Sequence, residues 1–146
     1  MNATKPRGKH AGKIFLSHSR ADSDLAIKIR SLLVHRLGLP VFLHDDLSAG
    51  EKWQLRLQKE LQNAEVFIPL LTPQSRTDPW VLQETGAAWS MNKVIVPLVT
   101  RYNILDHFPV QLRNGHAVEL QDLDTPKGLE RFAIALERSL ARSLPA

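Results

Sequence analysis

Short, unbroken apolar runs alternate along this chain with stretches whose apolar residues recur every three or four positions. Lys13-Ile14-Phe15-Leu16-Ser17 is the first run. It reads as a strand buried on both faces. Leu25, Ile29, Leu32 and Leu33 then follow at helical spacing, with Asp22 or Ser23 placed to cap that helix and Gly38 placed to stop it. Pro40-Val41-Phe42-Leu43-His44 is a second strand, and residues 45–50 form a loop of turn formers. A second helix is expected over 51–63, with Trp53, Leu57 and Leu61 on one stripe. The third strand is 65–71. It contains Pro69, which lacks an N–H, so a bulge or an unpaired position is expected there. After a polar loop, Pro79 suits the first position of a third helix, where its missing N–H is not needed. A fourth strand covers 94–99, residues 100–116 are irregular, and a short fifth strand covers 117–120. Pro126 opens the last helix, with Leu129, Phe132, Ala133, Leu136 and Leu140 inward.

Continuous apolar strands alternating with helices predict an α/β fold, a parallel sheet covered by helices on both faces. Five strands in so short a chain suggest a three-layer, flavodoxin-like domain with strand order 2-1-3-4-5. In that order the chain reverses direction across the sheet between strands 1 and 3, and a ligand crevice is expected outside their C-terminal ends. The pattern therefore puts a site near residues 17–24 and 72–84 from topology alone.

Composition narrows the classes. The 146 residues fit one domain with an ordinary core, and with no cysteine there are no disulfides, thiolate metal sites or cysteine nucleophiles. No apolar run approaches the ~20 residues of a membrane span. The net charge of +4 hints at nucleic acid, but Lys5, Arg7, Lys9 and Lys13 carry the excess. Without them 15 basic residues face 15 acidic ones. A neutral body behind a basic leader, residues 1–12, predicts no direct nucleic-acid binding. The folded domain is expected over 13–143, in a reducing, cytoplasmic setting.

The loop after the first strand has no glycine, so the dinucleotide fingerprint and the phosphate-binding loop are both absent. A response-regulator receiver shares the strand order. It needs acids after strand 1 and an aspartate after strand 3, where this chain has His18-Ser19 and Thr72-Pro73. The six histidines are scattered, and none is paired at metal-ligand spacing, so no metal is expected. His18 would either touch a substrate or bond to backbone, and His44 would shape its loop. Trp80 and Glu84 lie four apart on one helix face, beside the expected crevice. Alone, the pair reads as a core-edge tryptophan with a solvated glutamate. Gln83 reads as surface, and Trp53 and Trp89 as core.

Together these pieces match a family. The run Lys13-Ile14-Phe15-Leu16-Ser17-His18-Ser19-Arg20-Ala21-Asp22 resembles the first box of TIR (Toll/interleukin-1 receptor) domains: a hydrophobic strand, Ser-His, then Asp. The loop from Asp45 to Gly50 resembles the family's BB loop, and Phe67-Ile68-Pro69-Leu70-Leu71-Thr72-Pro73 its third strand and Thr-Pro exit. Trp80-Val81-Leu82-Gln83-Glu84 is similar to the family pattern Trp-x-x-x-Glu. The likeness runs from residue 13 to about 140 and rests on order and spacing. Asp78, Pro79 and Val81 depart from the usual residues around the tryptophan.

The resemblance implies one of two activities: cleavage of NAD+, as in many bacterial TIR domains, or non-enzymatic signalling through TIR–TIR contacts. On the first, Glu84 is catalytic, and Phe15, Ser17, His18, Ser19, Arg20, Asp45, Trp53 and Trp80 line the substrate pocket. NAD+ is then a substrate, no cofactor is needed, and ADP-ribose or a cyclic ADP-ribose is the product. Self-association through the BB loop, residues 45–52, would activate the domain in antiphage immunity, with a fused or separate sensor. One carboxylate suffices chemically, because nicotinamide leaves a cationic ring as a neutral base and no general acid is required. A nucleoside deoxyribosyltransferase-like enzyme of similar architecture would need a second carboxylate nucleophile, and the sequence offers no clear one.

Overall fold

The computed structural model describes residues 13–143 except 49, 51, 110, 111 and 114–116. The basic leader, Ala49 and Glu51 of the BB-like loop region, His10 and His116 lie outside the described residues. Among the described residues six strands form one parallel sheet: β1 (Ile14–Ser17), β2 (Val41–Leu43), β3 (Val66–Leu71), β4 (Val94–Ile95), β5 (Leu98–Val99) and β6 (Val118–Glu119). Four α-helices connect and cover them: α1 (Ser23–Leu37), α2 (Trp53–Asn63), α3 (Pro79–Ser90) and α4 (Pro126–Ser143). The order across the sheet is β2-β1-β3-β5-β6, with β4 also paired to β3.

The expected fourth strand is thus broken in two, which makes six strands of the expected five. The cause is a coincidence of prolines. β3 pairs with β4 and β5 at one offset, Phe67 with Ile95 and Leu70 with Leu98, so Pro69 falls opposite Pro97. Neither has an N–H to give, and the ladder lapses over two residues, Val96 and Pro97. Val96 N still donates to Phe67 O at 3.0 Å and Thr100 N to Leu71 O at 3.1 Å, which keeps the halves aligned. β3 itself runs unbroken through Pro69, which pairs with Ser17 of β1. The unpaired position expected at Pro69 appears in its neighbour.

The unbroken apolar runs follow from burial on both faces. Alternate residues Ile14, Leu16, Leu43, Val66, Ile68, Leu70 and Leu98 pack with Ala26, Ile29 and Leu33 of α1 and Leu129, Phe132 and Leu136 of α4. The intervening Phe15, Phe42 and Phe67 pack with Leu61 of α2 and Ala88 of α3. Further along that face Leu71 and Val99 meet Val81 of α3, Ile104, Phe108 and Leu112. Strand alternation alone assigns these two layers.

Three local expectations change. Asp22 precedes α1, but its carboxylate makes no capping bond, because two hydroxyls from neighbouring loops compete for it. Trp53 begins α2 and is 39% exposed, while Leu61 takes the buried end of that stripe. Trp89 is 54% exposed rather than core: Ala88 takes the buried position on that turn, and the next residue points some 100° away. Gly38 does end α1, at φ 65°, with its N–H bonded to Val34 O. No described helix is long and apolar enough to cross a membrane.

Candidate active site

The C-terminal ends of β1 and β3 lie side by side, and α3 starts just beyond β3. Asp78 fixes that start. Its carboxylate accepts from Trp80 N at 2.8 Å and Val81 N at 3.3 Å, and Pro79 occupies the first helical position. The departures at Asp78 and Pro79 therefore give a capped helix start. Five residues into the helix, Glu84 reaches back to β1.

Glu84 is 6% exposed. Its Oε1 accepts a hydrogen bond from Ser17 Oγ at 2.6 Å, while Oε2 is buried with no partner. Burial pushes its pKa up to about 7. The Ser17 hydrogen bond opposes the rise and the charge of Asp78 adds to it. Near neutral pH this carboxyl is thus poised between its two forms, with one oxygen committed and the other without a hydrogen-bond partner.

The loop after β1 is tied to the loop after β3 by one carboxylate. Asp22 Oδ2 accepts from Ser19 Oγ at 2.8 Å and from Thr72 Oγ1 at 2.6 Å. Thr72 N in turn donates to Ser75 Oγ at 2.8 Å. These buried bonds hold the two walls of the crevice in register. His18 is held through Nδ1, which donates to Ser19 O at 2.7 Å; its Nε2 is buried without a hydrogen-bond partner, 3.4 Å from Asp45 Oδ1. Arg30 of α1 anchors the loop after β2 through Asp46, giving both carboxylate oxygens a bond from Nη1, at 2.6 and 2.7 Å.

Outside this polar floor stand three rings. His44 lies 5.2 Å from Trp80 and 6.3 Å from Trp53, and the two tryptophans are 5.3 Å apart in a T-shaped contact. Burial lowers the pKa of His44. Asp45 opposes this, and His18 and Arg20 add to it, which favours a neutral ring. Trp80 is 37% exposed, so the cluster presents aromatic surface at the crevice.

Of the site residues expected from sequence, Ser17 pairs with Glu84, His18 with Ser19 and Asp45, and Trp53 with Trp80, and Arg20 is near enough to act on His44. Phe15 is not at the site. It is fully buried, 5.3 Å from the ring of Phe42 and 5.7 Å from that of Phe67, one layer below Ser17 on the same strand face. Glu84 is buried rather than solvated. Sequence reasoning passed over His44 and Asp22 as site residues; for His44 the only signal was its place at the end of a strand bordering the crevice. Among the described residues no cluster of three or more histidines and acids could hold a metal.

A parallel α/β sheet with a buried carboxyl across its β1–β3 crevice defines the class. The family model described as "TIR domain" matches residues 14–138, and the chain belongs to that family. No curated protein matches it. Among solved structures it is similar to the TIR domain of the Toll-related receptor TRR-2 from Hydra magnipapillata, with TM-score 0.68 and 15% identity over 85% of this chain and 97% of that one. It is similar also to the TIR domains of the activated Roq1 resistosome, with TM-score 0.55 and 17% identity over 90% and 85%. A third is the Clostridium botulinum CMP N-glycosidase BcmB, with TM-score 0.54 and 17% identity over 84% and 98%. At these identities the likeness is one of fold.

Proposed function

We propose that this TIR domain cleaves the bond between nicotinamide and ribose in NAD+. The observation that carries this reading is Glu84: buried, held at one oxygen by Ser17, with its other oxygen unpartnered, one helical turn along α3 from Trp80. That arrangement suits a sugar whose hydroxyls meet the free oxygen while a flat base lies on Trp80. The C1′–N bond breaks, and its electron pair goes to the nicotinamide nitrogen. The ribose ring passes through an oxocarbenium-like state that an ionised Glu84 stabilises. Water then attacks C1′ and loses a proton, giving ADP-ribose; an adenine nitrogen attacking instead closes a cyclic ADP-ribose. The fold also hosts a CMP N-glycosidase, an enzyme that cuts a related bond.

In this reading the domain works in the cytoplasm, in antiphage defence, and self-association through the loop at 45–52 switches it on. The Roq1 TIR domains, which share this fold, belong to an activated resistosome that recognises a pathogen effector.

The test is NAD+ consumption by the concentrated protein with a crowding agent, with products separated on the same samples. Because Glu84 must be ionised, kcat/KM is expected to rise with pH through about 7 and then level off. Asp78→Asn keeps a helix cap but removes a charge that raises the Glu84 pKa, so its midpoint should lie lower. A profile that falls across this range would exclude carboxylate stabilisation by Glu84. If NAD+ persists even in forced assemblies, the non-enzymatic signalling reading replaces this one.

A further inference from the structure

A second concavity opens at the C-terminal end of the sheet, on the other side of the β3–α3 loop. Its volume is about 430 Å³, and it is lined by Pro73, Arg76, Thr100, Arg101, Asn103, Ile104 and His107. It shares no lining residue with the Glu84 site. Its walls come from the loop after β3 and the segment after β5, so it lies outside strand C-termini, where parallel sheets present loop groups to ligands.

The chemistry of the lining is one-sided. Two arginines and a histidine line the concavity, with Thr100 and Asn103, and no acid lines it. Among the described residues neither Arg76 nor Arg101 has a hydrogen-bond or ion-pair partner. Of the nearby acids, Asp78 caps α3, Glu119 accepts from Tyr102 N at 2.8 Å and Gln121 Nε2 at 2.9 Å, and Asp106, exposed beside His107, is not part of the lining. Pro73 and Ile104 add an apolar patch. Guanidinium pairs suit phosphate through forked N–H donors, and the volume falls in the range of small-molecule sites.

We infer that this concavity binds a small phosphorylated metabolite, with its phosphate on Arg76 and Arg101 and its remaining body against Pro73 and Ile104. A polyanion is less suited, because the basic groups converge on one hollow and residues 14–146 hold 15 basic against 15 acidic residues. The site also has a mechanical link to the catalytic crevice. Pro73 and Arg76 belong to the loop whose Thr72 is bonded to Asp22, so an occupant that orders this loop also steadies the wall of the Glu84 site.

The experiment is a titration of the isotope-labelled protein with inorganic pyrophosphate and, separately, with AMP, followed by amide and histidine-ring NMR. Expected are saturable shifts centred on Arg76, Arg101, Asn103 and His107, with AMP tighter than pyrophosphate. Arg76→Gln with Arg101→Gln should weaken binding at least tenfold. Lys28→Gln, on the exposed face of α1, and Glu84→Gln should leave it unchanged. All these side chains but Glu84 are exposed, so the double variant should fold, and its amide spectrum would verify this. Shifts centred on Ser17, Trp80 and Glu84, equal weakening by Lys28→Gln, or no saturation by 10 mM (roughly −2.7 kcal/mol at that Kd) would each overturn the assignment. Loss of binding in Glu84→Gln would mean that the phosphate sits in the catalytic crevice instead.

Discussion

Glu84→Gln is expected to lose about a thousandfold or more in NAD+ cleavage and, at pH 8, to be more stable than the parent. The two effects have one origin. The glutamine keeps the Ser17 hydrogen bond and the side-chain shape but cannot ionise. Activity falls because the anion facing the oxocarbenium-like state is gone; removing one preorganised group of this kind costs ~10²–10³ or more. Stability rises because the folded protein holds Glu84 at a pKa of about 7 against 4.5 in an unfolded chain. The sign follows from proton binding. Between those values the folded state holds more protons than the unfolded state, so stability declines as pH rises from 4.5 through 7. The full penalty above that range is on the order of 3 kcal/mol. Urea titrations of parent and variant should therefore nearly coincide at pH 4.5 and separate by pH 8. Retained turnover in the variant would remove Glu84 from catalysis. Coincident titrations at pH 8 would show that the carboxylate finds solvation in the folded state.

The second large effect belongs to Asp22. Asp22→Ala should destabilise the domain by about 2–4 kcal/mol, because the hydroxyls of Ser19 and Thr72, both almost fully buried, lose their shared acceptor. Activity should fall further than stability explains, since the two loops that form the crevice are no longer joined. Asp22→Asn keeps an acceptor oxygen and should recover a good part of both. Chemical denaturation with an unchanged slope, beside NAD+ turnover well below the unfolding midpoint, separates the two effects. A loss under ~0.5 kcal/mol would mean that the hydroxyls find other partners.

Much of the architecture is legible in the chain because the forces behind it are local. Runs such as Phe67-Ile68-Pro69-Leu70-Leu71 are apolar on both faces, which only a covered parallel strand tolerates, and Gly38 and Pro79 mark helix ends by backbone chemistry. What could not be read arises between segments distant in sequence. The break between β4 and β5 needs the register that sets Pro69 against Pro97. The burial of Glu84 needs Ser17, 67 positions away. Asp22 looked like a helix cap because its competitor Thr72 lies 50 residues downstream. The family resemblance places Phe15 with Ser17 in the first box, yet two steps along the strand separate the core from the crevice. His44 carried no motif; its role appears only when β2 and α3 bring it against Trp80.

The cluster of His44, Trp53 and Trp80 makes the site its own optical reporter. Two of the three tryptophans stand at the crevice, each about two-fifths exposed. Trp89 sits nine residues further along α3 from Trp80, ~13 Å along the helix axis. A base laid on Trp80 would exclude solvent from that indole and alter its contact with Trp53, while Trp89 supplies a constant background that Trp89→Phe removes. Occupancy of the crevice can thus be followed by intrinsic emission in the unlabelled protein, before and independently of any turnover.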